Sequence, residues 1–283
     1  MNTRLIKALD IQKLVEYLCV RANTVLRRDV LEGIQKAYDG EADGSVSKKM
    51  LKVLLENTET AEKEKLPLCQ DTGMAAVFIE LGSEVQVSDG DIIDAVNAGI
   101  EKGYAEANLR KSIVADPVKR DNTGTNTPGV VHVDIVKGDK ISITVMPKGF
   151  GSENKSRMVM LNPTSTDEDI IEFCVDTVRK AGPDACPPYI LGVGIGGTME
   201  QCTLMAKKAL LRTIDSSNPK SHMADIEAKI KKRSNELKIG VMGLGGSDTV
   251  IGVNIMETAT HIAGMPVAVN VACHALRSAS GTL

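Results

Sequence analysis

The sequence predicts a mixed α/β fold: a helical N-terminal region at about 1–65, then mixed sheets interleaved with helices in one large domain. Three observations carry this. Ile11, Leu14, Val15 and Leu18 recur at helical spacing. Val131, Val133 and Ile135, then Ile141, Ile143 and Val145, alternate with more polar neighbours, which is the period of half-buried strands. Tyr189 to Ile195 is a short apolar run leading into the helical pattern Met199 to Leu211, a strand followed by a helix.

Taken in order, residues 1 to about 66 read as helical. Asp29 with Glu32 makes a capping arrangement before Ile34, and a second helix covers Ser47 to Thr60 with Met50, Leu51, Leu54 and Leu55 on one face. The charged stretch Glu62 to Lys65 leads to Pro67, and Met74 to Leu81 is apolar and of strand length. Ser88-Asp-Gly-Asp91 reads as an N-cap before Ile92, Ile93, Val96 and Ile100. Asn108 to Gly129 is polar, rich in Thr, Asn and Pro, and long for a connector; loops of that length tend to be functional or disordered. The two alternating segments flank Lys137-Gly-Asp-Lys140 and predict an antiparallel hairpin, with His132 on its solvent face. Thr166 caps a helix running to about Lys180, and His222 to Leu237 is a charged surface helix. Short strands follow at Val250 to Ile255 and Val267 to Val271. With no internal repeat and no low-complexity linker, residues 1–283 read as a single domain.

Thirty-four basic and thirty-seven acidic residues give a net charge of -3, which removes the electrostatic footprint of a nucleic-acid binder. Three Phe, four Tyr and no Trp leave little for base stacking. No apolar run reaches the ~18 residues of a membrane span. The opening MNTRLIKALDIQKLVEYL has charges inside its apolar stretch and no small-residue cleavage site. The expectation is a soluble cytoplasmic protein with neither nucleic acid nor membrane as partner.

Gly192, Gly194 and Gly197 match the dinucleotide fingerprint G-x-G-x-x-G, and Asp215 lies near the distance of a ribose ligand. The segment after Leu211, TIDSSNPKSHMADIEAK, holds no apolar strand to complete the βαβ unit. The glycines therefore read as positions of close strand–helix packing.

The six cysteines contain no C-x-x-C pair, so any metal site must draw ligands from far apart in the chain. Cys19, Cys174 and Cys202 follow or lie within helical apolar patterns and read as core. Cys69, Cys186 and Cys273 lie at strand edges or turns. Three thiolates without a histidine partner suit an iron–sulfur cluster better than zinc, and a cubane held by three thiolates leaves one iron open as a Lewis acid. Lys148-Gly-Phe-Gly-Ser-Glu-Asn-Lys155 adds glycine-freed backbone N–H groups and two lysines, a place for a carboxylate or phosphate. Lys148 and Lys155 could also steer an anion from a distance, and Arg120 and Asn126 in the polar loop could shape a site or cap turns.

Cys-Gln-Asp-Thr-Gly at 69–73, Gly-Ser-Glu-Asn-Lys at 151–155, Cys-Pro-Pro at 186–188 and Gly-Val-Gly-Ile-Gly-Gly at 192–197 together resemble the class I, iron–sulfur-dependent fumarate hydratases. The likeness runs from about residue 5 to 283 and is closest to the alpha subunit of the two-subunit form. It implies a [4Fe-4S] cluster on Cys69, Cys186 and Cys273. It also implies dicarboxylate contacts from Gln70, Asp71, Arg110 and the backbone at Gly151, with Asp71 protonating the departing hydroxide and His261 as its proton-tuning partner. The implied activity is the hydro-lyase step of the tricarboxylic acid cycle, fumarate to L-malate. A separate beta subunit would complete the site, within an alpha2-beta2 heterotetramer built on an alpha dimer. This chain stops at Leu283, so on that view it turns over little alone. Two departures stand out: Phe150 interrupts the glycines before Ser-Glu-Asn-Lys, and Cys-His-Ala-Leu-Arg at 273–277 lacks the tryptophan and paired arginines of the family. The L-tartrate dehydratase alpha subunit resembles the chain within the same family, and a non-catalytic iron–sulfur sensing module is the alternative of another class.

Overall fold

The computed structural model describes residues 3–283 and has the mixed α/β character expected. The elements run β1 (Arg4–Lys7), α1 (Ala8–Thr24), α2 (Arg28–Gly40), α3 (Val46–Glu64), β2 (Met74–Gly82), β3 (Val85–Ser88), α4 (Ile92–Glu106), β4 (Val130–Val136) and β5 (Ile141–Lys148). They continue through α5 (Phe150–Glu153), β6 (Arg157–Leu161), α6 (Asp167–Ala181), β7 (Tyr189–Gly197), α7 (Met199–Ala209), α8 (Ser221–Glu236), β8 (Val250–Thr260), β9 (Met265–Ala272) and β10 (Ala279–Thr282). The chain divides into two compact units. One comprises residues up to Arg27, Thr58–Phe150 and Arg277–Leu283; the other comprises Arg28–Asn57 and Gly151–Leu276.

The first unit is built on a four-stranded sheet in the order β10-β5-β2-β4. Ile11, Val15 and Leu18 of α1 and Val96 and Ile100 of α4 share its core with Val77 and Ile79 of β2 and Ile141, Ile143 and Val145 of β5. Asp91 caps α4 as its position predicts, accepting the N–H groups of Ile93 (2.7 Å) and Asp94 (3.1 Å). The expected β4–β5 hairpin is not formed. β2 lies between the two strands, parallel to β4 and antiparallel to β5. The reason is burial: β2 is apolar along most of its length and takes a partner on each side, whereas β4 is largely exposed and fits an edge. The Lys137–Lys140 link spans the end of β2, its carbonyls accepting the N–H groups of Gly82 and Glu84. His132 is only half-buried, but its ring is not turned simply to solvent: it stacks on Phe78 with centroids 5.4 Å apart. The helical reading of the first residues also needs correction, because Arg4–Lys7 pairs in parallel with Val85–Ser88, a long-range partner that local periodicity does not reveal.

The second unit carries a sheet in the order β6-β9-β7-β8, with β7 parallel to β8 and antiparallel to β9. α6 and α8 contribute Ile171, Cys174, Val178, Ile226 and Ile230 to a core with β7, β8 and β9. Asp169 accepts from both the backbone N–H (2.7 Å) and the hydroxyl (3.1 Å) of Thr166 at the start of α6. α8 is less of a surface helix than its charges predict: it buries Met223, Ile226 and Ile230, and also Glu227, whose carboxylate pairs with Arg212 at 2.6 Å. Asp29 lies inside the first turn of α2 and does not cap it; its carboxylate instead accepts the Ile214 N–H at 2.9 Å, while Glu32 pairs with Arg28.

The glycine fingerprint resolves as packing. Gly192 and Gly194 lie within β7 against α7, where an added Cβ would stand 2.0 Å from the Ala206 carbonyl oxygen and 2.1 Å from that of Cys202. The parallel strand that follows β7 is β8, reached only after both α7 and α8, and Asp215 falls in the connection between those helices.

Candidate active site

In the first unit the Cys69–Gly73 segment leads directly into β2, and the antiparallel register sets Met74 opposite Lys148 at the end of β5. The residues just before β2 therefore meet the residues just after β5. Asp71 accepts the Gly73 N–H at 3.0 Å through Oδ1 and the Phe150 N–H at 2.8 Å through Oδ2. Gly73 has φ 75 with the Lys148 backbone 2.8 Å from where a Cβ would be, so no other residue fits the turn.

Buried polar groups hold this segment from several sides. Tyr104, fully buried on α4, donates its hydroxyl to the Thr72 carbonyl at 2.7 Å and lies 3.2 Å from that of Gly73. Burial pushes its phenol far above the ordinary range, which keeps it a donor. The Thr72 hydroxyl donates to the Arg110 carbonyl at 3.0 Å. Asn126, fully buried, accepts the Ser112 N–H at 2.7 Å and donates to the Gly73 carbonyl at 3.2 Å, so it braces the site and does not merely cap a turn. Arg277 donates to the Asp71 carbonyl and, through Nε, to Asn23 Oδ1 at 3.2 Å. The tethers from Tyr104 and Arg277 have no local sequence signal, since each joins residues far apart in the chain. At the surface of this segment, Cys69 is half-buried with its thiol 3.3 Å from Gln70 Oε1. Gln70 and Arg110 are exposed, as is Arg120 in its turn. Lys148 is buried, its Nζ directed to the Gly149 carbonyl at 3.4 Å.

In the second unit Cys186 has φ 56 and precedes Pro187 and Pro188. Its carbonyl accepts the His274 N–H at 3.3 Å and lies 3.1 Å from His274 Nδ1, which ties the Cys186 turn to the segment of Cys273 at the end of β9. Both cysteines are half-buried. Glu153 of α5 pairs with Lys207 of α7 at 2.5 Å and accepts from Asn270 of β9 at 3.1 Å, fixing the Gly-Ser-Glu-Asn-Lys segment to this sheet. Lys155 pairs with Asp184 at 2.7 Å. Gly151 is exposed, with open space around its Cα. His261 is exposed in the β8–β9 turn, where its Nδ1 accepts the Ala263 N–H at 3.2 Å.

The thiols divide as their sequence contexts do. Burial raises Cys19 and Cys174 to about 12 and Cys202 to about 11, values of inert core thiols. Cys69, Cys186 and Cys273 are the three with solvent access. Among the described residues, no group of three or more His, Cys, Asp or Glu side chains forms a ready-made metal site. No helix among them is long and apolar enough to cross a membrane.

A profile of the family described as fumarate hydratase (Fumerase) matches residues 12–282. A chain of Methanocaldococcus jannaschii, provisionally named as an L(+)-tartrate dehydratase subunit alpha, is 37% identical over 277 residues, covering 96% of each chain. The L(+)-tartrate dehydratase subunits alpha of Escherichia coli K12 and Shigella sonnei are each 31% identical over 264 residues, 92% of this chain and 86% of the relative.

Proposed function

The chain belongs to the fumarate hydratase family of hydro-lyases, and from that premise we propose that it is the alpha subunit of a [4Fe-4S]-dependent enzyme hydrating fumarate to L-malate, completed by a separate beta subunit. The observation that carries this reading is the fixed Asp71: both carboxylate oxygens are engaged by backbone N–H groups, and its main chain is held by Arg277.

Cys69, Cys186 and Cys273 are the proposed cluster ligands, because they alone of the six thiols combine solvent access with turn positions. Their chemistry fits a soft iron site, and such a cluster when bound supplies an open Lewis-acidic iron. Arg110 presents a guanidinium fork to one carboxylate of the substrate, and the Gln70 amide, next in chain to Asp71, donates to it as well. Asp71 holds the proton exchanged with the substrate hydroxyl, on an oxygen whose position its two backbone donors set. His261 is the proposed proton-tuning partner of Asp71, with its Nδ1 engaged by the Ala263 N–H.

Dehydration of L(+)-tartrate is the second reading, supported by the names of the relatives. The test is anaerobic reconstitution with iron and sulfide, followed by assay with the beta subunit on malate, fumarate and L(+)-tartrate. About four irons per chain are expected, lost in Cys69→Ser, Cys186→Ser and Cys273→Ser but kept in Cys202→Ser. Turnover of tartrate alone would replace the fumarate reading. A cluster whose spectrum ignores every dicarboxylate would mark a sensing module. Full activity without a beta subunit would end the two-subunit assignment.

A further inference from the structure

Cys186 is a non-glycine residue in the left-handed region, a conformation that persists only where its surroundings hold it. It is held on three sides. Its N–H donates to the Pro183 carbonyl at 3.2 Å, and its own carbonyl accepts the His274 N–H at 3.3 Å. The carbonyl of the next residue, Pro187, accepts the Met242 N–H at 2.7 Å. Met242 belongs to the loop Gly240–Gly246, between α8 and β8, to which the chemistry proposed above assigns no part.

This loop is fitted to the Cys186 turn at a second point. Gly243, at φ 77, lies so close to Pro183 that an added Cβ would stand 2.3 Å from the proline Cβ. Met242 is itself left-handed at φ 52, so the loop too needs support from outside.

That support comes from Glu41, just past α2, and Ser47, in the first turn of α3, which are 8% and 3% exposed. Glu41 Oε1 accepts the Ser247 N–H at 2.5 Å. Ser47 Oγ donates to the Gly245 carbonyl at 2.5 Å, where the Val241 N–H also arrives at 3.1 Å. Gly246, at φ 110, admits both side chains: an added Cβ would stand 2.4 Å from Ser47 Oγ and 2.6 Å from Glu41 Oε1. Withdrawing a carboxylate from water is costly. What it delivers here is the position of a loop that grips the cysteine turn at Pro183 and Pro187.

We propose that Glu41 and Ser47 are positioning residues for Cys186, acting through the Gly240–Gly246 loop to fix the backbone that presents its thiol. The role toward a cluster rests on the reading of Cys186 as a ligand; the coupling through the loop does not.

Two readouts on the full chain test it. Hydrogen exchange of the metal-free chain, resolved by amide, reads the turn directly. In Glu41→Ala and in Ser47→Ala, the Cys186 and His274 amides, whose acceptors both lie in the turn, should exchange about fivefold faster, equivalent to about 1 kcal/mol. The amides of Ile171–Val178 in α6 should keep their rates, and Glu41→Gln, which retains an acceptor for Ser247, should stay near wild type. Ser47→Ala leaves Gly245 its Val241 donor, so it carries the test if Glu41→Ala does not fold. After anaerobic loading with iron and sulfide, a chelator should strip iron about fivefold faster from the alanine variants than from wild type or Glu41→Gln. The proposal is overturned by unchanged Cys186 and His274 amides, by equal acceleration of the α6 amides, or by iron release at the wild-type rate in both alanine variants. A wild type that takes up no iron overturns the cluster reading and not the coupling, which the exchange rates decide without metal.

Discussion

Tyr104→Phe isolates one of the bonds that fix the Asp71 segment. The ring stays in its fully buried place, and only the hydroxyl that donates to the Thr72 carbonyl at 2.7 Å is lost. The Gly73 carbonyl keeps its Asn126 donor at 3.2 Å, so one buried carbonyl is left without the hydroxyl. A lost hydrogen bond contributes about 0.5–1.5 kcal/mol and an orphaned buried acceptor costs about 1–3 kcal/mol; these describe the same event, so the expected destabilisation is about 2 kcal/mol. At about 2–4 °C per kcal/mol for a chain of this size, the melting temperature should fall by about 4–8 °C. Burial raises the phenol's proton affinity in the folded state, so the unfolded chain ionises first as pH rises past the ordinary value of 10.0. The hydroxyl's contribution is therefore intact below that pH and declines above it. Calorimetry of both proteins, with hydratase assays in the presence of the beta subunit, decides the matter. A loss under about 0.5 kcal/mol would refute the tether. The expected loss of about 2 kcal/mol with unchanged turnover would show that Asp71 does not depend on the tether.

Gly192→Ala would set a Cβ 2.0 Å from the Ala206 oxygen and force α7 off β7, at a cost of about 1–3 kcal/mol or more, whereas Gly40→Ala, with nothing within 4 Å, should be neutral or stabilising in a thermal melt. Equal effects of the two would remove the packing account of the glycine run. The Cys19 and Cys174 thiols rise from 9.0 to about 12 on folding, so their contribution is complete below pH 9.0 and falls as pH rises toward 12, by up to about 1.4 kcal/mol per pH unit for each. Denaturant titrations from pH 8 to 11 should therefore show a shallower decline in Cys19→Ala/Cys174→Ala than in wild type, and parallel curves would count against burial as the cause.

What the sequence disclosed was mostly what is settled locally. The Asp91 cap needs only the next three residues, and the β7 glycines and the three core thiols announce themselves by their neighbours. What it withheld is held by distant partners. β10 has almost no apolar signal and is a strand because Ala279–Thr282 pairs with Ser142–Val145. Arg277, remarkable in sequence only for following Cys273, acts on Asp71 across 206 residues. Family resemblance supplied the candidate ligands, and geometry supplied what braces them.

The misread hairpin shows why this distinction bears on the site. Two strands joined by the Lys137–Lys140 link would, if paired directly, set the end of β5 beside the start of β4, and Gly149–Phe150 would face the Pro128–Gly129 region. The insertion of β2 between them sets the start of β2 there instead, with Met74 opposite Lys148. That exchange is what brings Asp71 to the Phe150 N–H, although 79 residues separate them. The driving force is apolar burial along β2, since Ala75 to Ile79 are all buried and a strand so apolar is stabilised by a neighbour on each side. The carboxylate proposed for chemistry is thus positioned by residues with none, and a polar substitution at Val77 or Ile79 would reach Asp71 without touching it.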